Sequence, residues 1–145
     1  MIAQVIGFSP KTKNQKLSFM IYGIGVDLVK VARIAAALER HGERFLNRIF
    51  TPLEIDYCRG KVRSASMFAM RFAAKEAFSK ALGVGLRRGG IRWREVEVIP
   101  DPRGKPELLV TGRAAELCEE AGVTGMHLTL SDEDQLALAV VVLER

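Results

Sequence analysis

Five polar side chains that could form a phosphate site are concentrated in one short segment. They are Arg71, Lys75, Glu76, Ser79 and Lys80. On a helix, Glu76 and Lys80 share a face because they are four residues apart, and the other three lie beside them. Cationic groups and a hydroxyl can hold phosphate oxygens, while a carboxylate can bind Mg²⁺. Taken alone, Glu76 and Lys80 would be interpreted as an ordinary surface ion pair, worth roughly 0.2–0.5 kcal/mol.

A second carboxylate, Asp27, follows the glycine-bearing apolar run Tyr22–Val26. Burying such an acid is costly without a partner, and the glycines would let a backbone or a ligand approach closely. This segment alone favours a simpler role, in which Asp27 caps a helix that begins near Val29. Since Mg²⁺ commonly takes one or two carboxylates together with substrate phosphates, Asp27 and Glu76 together could form such a site.

Other common catalytic sites are excluded by the residues present. Gly23 and Gly25 lack the third glycine of a dinucleotide fingerprint, and the chain has neither a P-loop nor a GxSxG nucleophile motif. Two histidines are too few for a histidine-rich zinc site. Because Cys58 and Cys118 are far apart in the sequence, we expect two free thiols in a reducing cytoplasm.

The elements that must position these residues can be predicted from hydrophobic periodicity and from capping signals. Thr51, Pro52 and Glu54 form a capping box that should start a helix running to about Arg59. A polar turn is predicted over Ser131–Gln135. Since strands cluster near the C-terminus and helices near the front, an α+β fold with an antiparallel sheet is favoured over a βαβ fold. The other helices are predicted over Val29–His41, Phe45–Phe50, Ser64–Leu82 and Arg113–Ala121, and the strands over Ile21–Leu28, Glu95–Ile99, Leu108–Val110, Met126–Leu130 and Leu136–Leu143.

Length and charge indicate one domain with a short basic extension. The chain has 145 residues and a net charge of +5, and three of its lysines lie in the first 19 residues, which contain no acid. We therefore expect residues 1–19 to be an N-terminal extension, flexible or non-native, and residues 20–145 to be a single domain. The arginine-rich stretches 33–48 and 87–94 leave an alternative open, a small basic nucleic-acid-binding module. That alternative gives Asp27 and Glu76 no role, and the chain lacks the interleaved aromatic residues of a single-strand platform.

Two motifs carry a resemblance to a known family. The segment Gly23–Leu28, followed by Arg33-Ile34, and the segment Arg71–Gly83 closely resemble those of bacterial holo-[acyl-carrier-protein] synthases, the small 4′-phosphopantetheinyl transferases. The resemblance covers about residues 20–145. It implies an α+β 4′-phosphopantetheinyl transferase fold in which an antiparallel sheet is combined with a long helix. It also implies a homotrimer with coenzyme A sites between subunits.

The resemblance also implies a reaction. Such enzymes transfer 4′-phosphopantetheine from coenzyme A to a serine of apo acyl carrier protein, with Mg²⁺ as cofactor, and release adenosine 3′,5′-bisphosphate. The holo carrier serves fatty acid biosynthesis. We therefore expect a cytoplasmic enzyme with no nucleic-acid or membrane partner.

By resemblance, each site residue takes an expected role. Asp27 and Glu76 bind the metal, Lys80 contacts the pyrophosphate, and Glu76, through a water molecule on the metal, is the leading candidate for the base. The nucleotide site is lined by Arg71, Ser79 and Gly83. A loop formed by Gly104, Lys105 and Pro106 reaches the coenzyme A of a neighbouring subunit, as would the turn at Ser131–Asp132. Asp132 itself is not assigned as a ligand, because the 3′-phosphate would repel it, and a solvated acidic hairpin tip is at least as good an interpretation.

An arginine stripe on the first predicted helix could bind the carrier protein. Carrier proteins are acidic, and arginines beside an apolar anchor suit such a partner. The resemblance places carrier docking in this region, although arginines on a helix face are usually just solvated. The expected docking residues are Arg33, Ala37, Arg40, Arg44, Phe45 and Arg48.

Overall fold

The elements of the chain are seen in a computed structural model, which describes residues 19–145. Apart from Phe19, the predicted extension over residues 1–19 lies outside the described residues. None of the helices in this part of the chain is long and apolar enough to cross a membrane. The elements, in order, are β1 (Ile21–Lys30), α1 (Val31–Ile49), α2 (Pro52–Arg59), α3 (Ser64–Leu82), a 3₁₀ turn (Trp93–Glu95), β2 (Val96–Pro100), β3 (Pro106–Val110), α4 (Gly112–Glu120), β4 (Gly125–Glu133) and β5 (Leu136–Glu144).

Both sheets are antiparallel, which confirms the predicted α+β class. The larger sheet has the order β1-β5-β4, and β2 pairs with β3 in a separate hairpin. Helix α3 packs against β1 and β5. Alternate residues of β5 are buried, as the period-two pattern of a strand with one covered face requires. The buried residues of β5 are Ala137, Ala139, Val141 and Leu143.

Two glycines let α3 lie unusually close to β1. A Cβ atom added at Gly25 would overlap the carbonyl oxygen of Ala77, and one added at Gly23 would overlap that of Ala81. The helix contributes buried alanines at this contact, so backbone meets backbone. This close approach brings the middle of α3 to the strand that carries Asp27.

Helix boundaries follow the capping signals closely. The capping box at Thr51 is confirmed: Glu54 N donates to Thr51 Oγ1 at 3.3 Å, and Thr51 N donates to Glu54 Oε2 at 2.8 Å. Gly83 ends α3 with a left-handed backbone, at φ 79°. The two helices predicted on either side of Gly42 run on as α1, with a break at Gly42, whose φ is 48°.

The predicted turn over Ser131–Gln135 is wrong in its bounds. Strand β4 continues to Glu133, and Asp132 pairs with Ala137 of β5. The polar residues of this hairpin therefore lie within the ladder, and only Asp134 and Gln135 connect the two strands. Asp134 has a positive φ of 51°, a conformation that aspartate tolerates in tight turns.

Candidate active site

Asp27 lies within β1 and meets a lysine of α3. Lys80 Nζ donates to Asp27 Oδ1 at 2.9 Å and to the carbonyl oxygen of Val26 at 3.0 Å. Asp27 does not cap α1, because Lys30 precedes that helix and no side chain caps it. The helix-cap interpretation of Asp27 is therefore wrong, and the carboxylate is available for another role.

Glu76 lies one helical turn before Lys80 and is half-buried. Burial raises the pKa of its carboxyl group, and the negative charge of Asp27 raises it further, while Lys80, Arg33 and Arg87 act in the opposite direction. The charge of Asp27 therefore acts on Glu76 in the same direction as burial, and both favour the protonated form of Glu76. Both acids therefore lie near Lys80, which is hydrogen-bonded to Asp27 and follows Glu76 by one helical turn.

The donor set fits Mg²⁺ held jointly by protein and substrate. Within residues 19–145 no three His, Cys, Asp or Glu side chains gather to form a metal site of their own. A pair of carboxylates is what Mg²⁺ takes from a protein when substrate phosphates and water complete its shell. Asp27 and Glu76 would supply that pair.

A cavity of about 580 Å³ opens beside Glu76. One wall is aromatic, because the rings of Phe72 and Trp93 stack with centroids 4.9 Å apart. The guanidinium of Arg33 lies 5.9 Å from the centroid of the Phe72 ring. The lining also includes Ser79 and three further arginines, Arg48, Arg87 and Arg88. The arginines give the cavity a cationic character that is suited to phosphate.

This cavity joins groups that the sequence analysis treats separately. Of the predicted docking residues, Arg33, Phe45 and Arg48 line it together with Glu76. The other three, Ala37, Arg40 and Arg44, lie on α1 outside its lining. Sequence reasoning missed Trp93, Arg87 and Arg88 as parts of the site. Their only signal was the arginine-rich stretch 87–94, which was interpreted as a feature of a nucleic-acid binder.

Helical periodicity predicts that Arg71 lies beside Ser79, but the two side chains line different cavities. The side chain of Arg71 is buried, with the residue 2% exposed, and its guanidinium lies 4.4 Å from the centroid of the Tyr57 ring. It lines a different cavity, of about 290 Å³, together with Gly104, Pro106 and Asp132. Within the described part of the chain, its Nε has no hydrogen-bond partner. Arg71, Gly104 and Pro106 therefore line one cavity, whereas Ser79 lines the cavity beside Glu76.

The remaining nucleotide residues have simpler surroundings. Ser79 donates its hydroxyl to the carbonyl oxygen of Glu76 at 3.0 Å. Gly83 is at the C-terminal end of α3, outside the linings of both cavities. Lys105 is exposed and lines a third, smaller hollow with Pro106.

Asp132 is not at a solvated hairpin tip. Its carboxylate accepts a hydrogen bond of 2.6 Å from the hydroxyl of Ser66 and lies 3.1 Å from a guanidinium nitrogen of Arg63. That interpretation of Asp132 is wrong, because its carboxylate is held by the start of α3. The side chain forms part of the wall of the Arg71 cavity.

Lys75 is not available to hold phosphate, contrary to the grouping suggested by the sequence. Its side chain is 0% exposed and forms an ion pair of 2.9 Å with Glu54, which is also fully buried. Burial lowers the pKa of Lys75, and Glu54 opposes that shift. Helical periodicity places Lys75 beside Glu76 but cannot say that it points into the core.

The geometry defines the class of this molecule as a small α+β protein with an arginine-lined cavity beside a half-buried carboxylate. Within that class the family is also clear. Residues 23–141 match the family model described as the 4′-phosphopantetheinyl transferase superfamily, and the chain belongs to this family. The predicted resemblance is thereby confirmed, and the nucleic-acid-binding alternative is not retained.

Named relatives are similar over almost all of their own length. The holo-[acyl-carrier-protein] synthase of Geotalea daltonii is 51% identical over 126 residues, which are 87% of this chain and 100% of that protein. The crystal structure of the Neisseria meningitidis synthase is 40% identical, with a TM-score of 0.80, over 87% of this chain and 100% of that one. The Helicobacter pylori synthase in complex with coenzyme A is 32% identical, with a TM-score of 0.73, over 83% of this chain and 98% of that one.

Proposed function

We propose that this chain transfers 4′-phosphopantetheine from coenzyme A to a serine of an apo acyl carrier protein. The other product is adenosine 3′,5′-bisphosphate, and the holo carrier serves fatty acid biosynthesis. The observation that carries the proposal is the meeting of Asp27, Lys80 and Glu76 at the β1–α3 contact, beside an arginine-lined cavity, in a member of this family. Two free cysteines suit the reducing cytoplasm in which we place the reaction.

In this proposal Asp27 and Glu76 hold Mg²⁺. When bound, the cation stabilises negative charge on the phosphate oxygens. Lys80 is 51% exposed, so its ammonium group can turn from Asp27 to the coenzyme A pyrophosphate. The hydroxyl oxygen of the carrier serine attacks the phosphorus that bears pantetheine, the bond to the bisphosphate breaks, and Glu76 accepts the serine proton.

The nucleotide end of coenzyme A is assigned to the Arg71 cavity. A buried guanidinium with an unused Nε–H is suited to an anionic group, and Gly104 and Pro106 line the same hollow. Ser79 lines the other cavity, beside Glu76, and Lys80 and Gly83 follow it at the end of α3. Because the two groups lie in separate hollows of one chain, we propose that one complete site combines residues from neighbouring subunits.

The surface of the larger sheet supports such an assembly. On the face of β1 turned away from α3, Ile24 is 60% exposed, Val26 is 51% exposed and Leu28 is 60% exposed. Each pairs with an apolar residue of β5, so the face is contiguous. An apolar patch of this kind marks an interface, and we propose that it is covered by further copies in a homotrimer. This outer face consists of Ile24, Val26, Leu28, Leu138, Val140 and Val142.

Docking of the carrier is assigned to α1 and to the mouth of the cavity of about 580 Å³ beside Glu76, the catalytic cavity. Arg33 and Arg48 line the cavity with Phe45, so a carrier bound there would present its serine to Glu76. Acidic carboxylates on the carrier would pair with these guanidinium groups. Arg40 and Arg44 would extend the contact, with Ala37 as an apolar neighbour on the same helix.

The transfer assay tests the function directly. The protein is incubated with coenzyme A, Mg²⁺ and an apo carrier, and the carrier is weighed by intact-mass spectrometry. We expect the mass of one phosphopantetheine group to be added, and none in the presence of EDTA or when the acceptor serine is replaced by alanine. No added mass with several carriers, or equal transfer with EDTA, would count against the proposal.

The docking assignment predicts a defect confined to the carrier. Arg33→Glu should raise the KM for the carrier about tenfold or more while the affinity for coenzyme A changes little, because the reversed charge repels an acidic helix. Steady-state kinetics with each substrate varied in turn would measure this. Arg145→Glu, at an exposed arginine outside the linings of both cavities, is the matched control. A defect only in coenzyme A binding would refute the assignment.

A further inference from the structure

Lys75 follows the phosphate-site pattern in sequence but forms a closed network in the core. Its ammonium group donates to Glu54 Oε2 at 2.9 Å, to the carbonyl oxygen of Val96 at 2.6 Å and to that of Trp93 at 3.1 Å. These bonds use all three of its donors. An ammonium group removed from water is costly unless it is fully satisfied, and here it is.

Glu54 completes the network on the other side. Besides Lys75, its Oε2 accepts a hydrogen bond from Thr51 N at 2.8 Å, and its Oε1 accepts one from Val98 N at 2.9 Å. Both carboxylate oxygens are therefore used. The buried pair ties the start of α2, the middle of α3 and strand β2 to one another.

The contact that matters for the cavity is the one to Trp93. The ring of Trp93 stacks on Phe72, and Trp93 lines both the catalytic cavity and a neighbouring cavity of about 920 Å³. At its beginning, the segment between α3 and β2 is joined to the helix by the hydrogen bond from Val84 N to Ser79 O. At its end, the bond from Lys75 to the Trp93 carbonyl joins it to the same helix.

We infer that Lys75 and Glu54 are positioning residues for the transfer reaction: by fixing the Trp93 backbone they hold its ring against Phe72 and so set the cavity wall beside Glu76. This inference rests on the proposed function, since it assigns the cavity to the substrate. Neither residue touches the reacting atoms, because both side chains are fully buried. Their effect reaches the reaction through the placement of the wall.

The single tryptophan makes the inference measurable without turnover, because all tryptophan emission comes from Trp93. In Lys75→Met we expect a red-shifted emission and stronger quenching by acrylamide, with the far-UV circular dichroism of the wild type. The kcat/KM for coenzyme A should fall by up to about 100-fold, the loss that misplacement by about 1 Å can cause.

A second variant removes the buried charge that Lys75→Met leaves unpaired. Lys75→Met combined with Glu54→Gln eliminates both charges and keeps an amide oxygen as an acceptor for Val98 N, so it is expected to fold and to show the same displaced tryptophan. Lys30→Met, at an exposed lysine at the end of β1, is the control and should match the wild type.

The outcomes separate this inference from the proposed function. A folded variant with wild-type emission and quenching would overturn the inference, even if its activity is lost. Displaced emission with unchanged kcat/KM would also overturn it. If the wild-type protein itself transfers nothing, the proposed function fails, while the fluorescence still shows whether Lys75 places Trp93.

Discussion

At the scale of single residues, two lysines five positions apart on α3 have opposite environments. Lys75 is 0% exposed and satisfied by three oxygens, whereas Lys80 is 51% exposed and reaches Asp27. A fully satisfied buried cation is fixed in place, while an exposed one can exchange partners. Only Lys80 is therefore suited to contact a substrate.

The carboxylate pair predicts the behaviour of two conservative variants. Asp27→Asn and Glu76→Gln should each lower kcat by on the order of 100-fold or more, because each removes a charged ligand of the proposed cation site while keeping the shape of the side chain. The rate of carrier modification at several Mg²⁺ concentrations measures the loss. Glu119→Gln, at an exposed acid of α4, is the control. Near-wild-type rates in both variants would show that the metal assignment is wrong.

Cys58 predicts a pH dependence of stability. Burial raises the pKa of its thiol from 9.0 to about 11, so the folded protein keeps this proton at a pH where the unfolded chain loses it. The stability that Cys58 contributes should be complete below pH 9 and should decline as the pH rises through about 11. Urea unfolding of the wild type and Cys58→Ala across this range measures it. A difference in unfolding free energy that stays constant with pH would contradict the expectation.

Sequence reasoning reached some of these residues and not others, for a physical reason. Asp27 and Glu76 could be paired only by hypothesis, because each has an ordinary role when taken alone and only a cation that accepts two carboxylates connects them. The burial of Lys75 depends on its ion pair with Glu54, which is 21 residues away in the sequence, and no local spacing connects the two residues. The burial of Arg71 likewise depends on packing with Tyr57 and on the loop at Gly104.

At the scale of elements, Gly23 and Gly25 of β1 determine how closely α3 packs on the strand. The motif suggested close approach by a backbone or a ligand, and the structure shows that the approaching group is the backbone of α3. This contact sets the distance between Asp27 and the residues of α3 that meet it. The site is therefore a direct consequence of the helix–strand spacing.

Gly25→Ala should damage stability and activity together. The added methyl group would overlap the carbonyl oxygen of Ala77 and push α3 from β1, which should destabilise the fold by about 1–3 kcal/mol. The same shift would separate Lys80 from Asp27 and reduce transfer. Thermal unfolding and the mass assay measure the two effects. Gly60→Ala, where a Cβ would meet only ordinary contacts at 3.7 Å, is the matched control.

Element bounds were predictable where a local signal exists. The Thr51 capping box and the Gly83 terminus lie where the sequence placed them. The end of β4 was missed because the residues after Leu130 are polar. Their pairing with β5 comes from the register of the sheet and not from their own hydrophobicity.

At the scale of the whole molecule, charge and apolar surface are separated. The cavity mouths carry arginines, whereas the outer face of the sheet carries branched apolar side chains. The first suits an acidic partner, and the second suits further copies of the chain. The proposed assembly could not be deduced from composition, because composition does not say which face of β1 is left uncovered.

Leu28→Lys should break the proposed trimer. A charge on the outer face would have to be buried at the interface, so light scattering after size exclusion should show a monomer with a normal circular dichroism spectrum. Transfer should fall with the loss of the composite site. Val62→Lys, at an isolated exposed residue before α3, should leave both the assembly and the rate unchanged. A trimeric Leu28→Lys protein would contradict the assignment of this face.

The break at Gly42 divides α1 into two short helical segments, and the helical repeat does not continue from one segment into the other. Arg33 and Arg40 belong to the first, and Arg44 and Arg48 to the second, so helical periodicity does not carry over from one pair to the other. The backbone torsions of one glycine set the mutual orientation of the pairs. For the proposed docking surface, a substitution in one pair should therefore leave the orientation of the other pair unchanged, whereas a substitution at Gly42 should change the angle between the pairs.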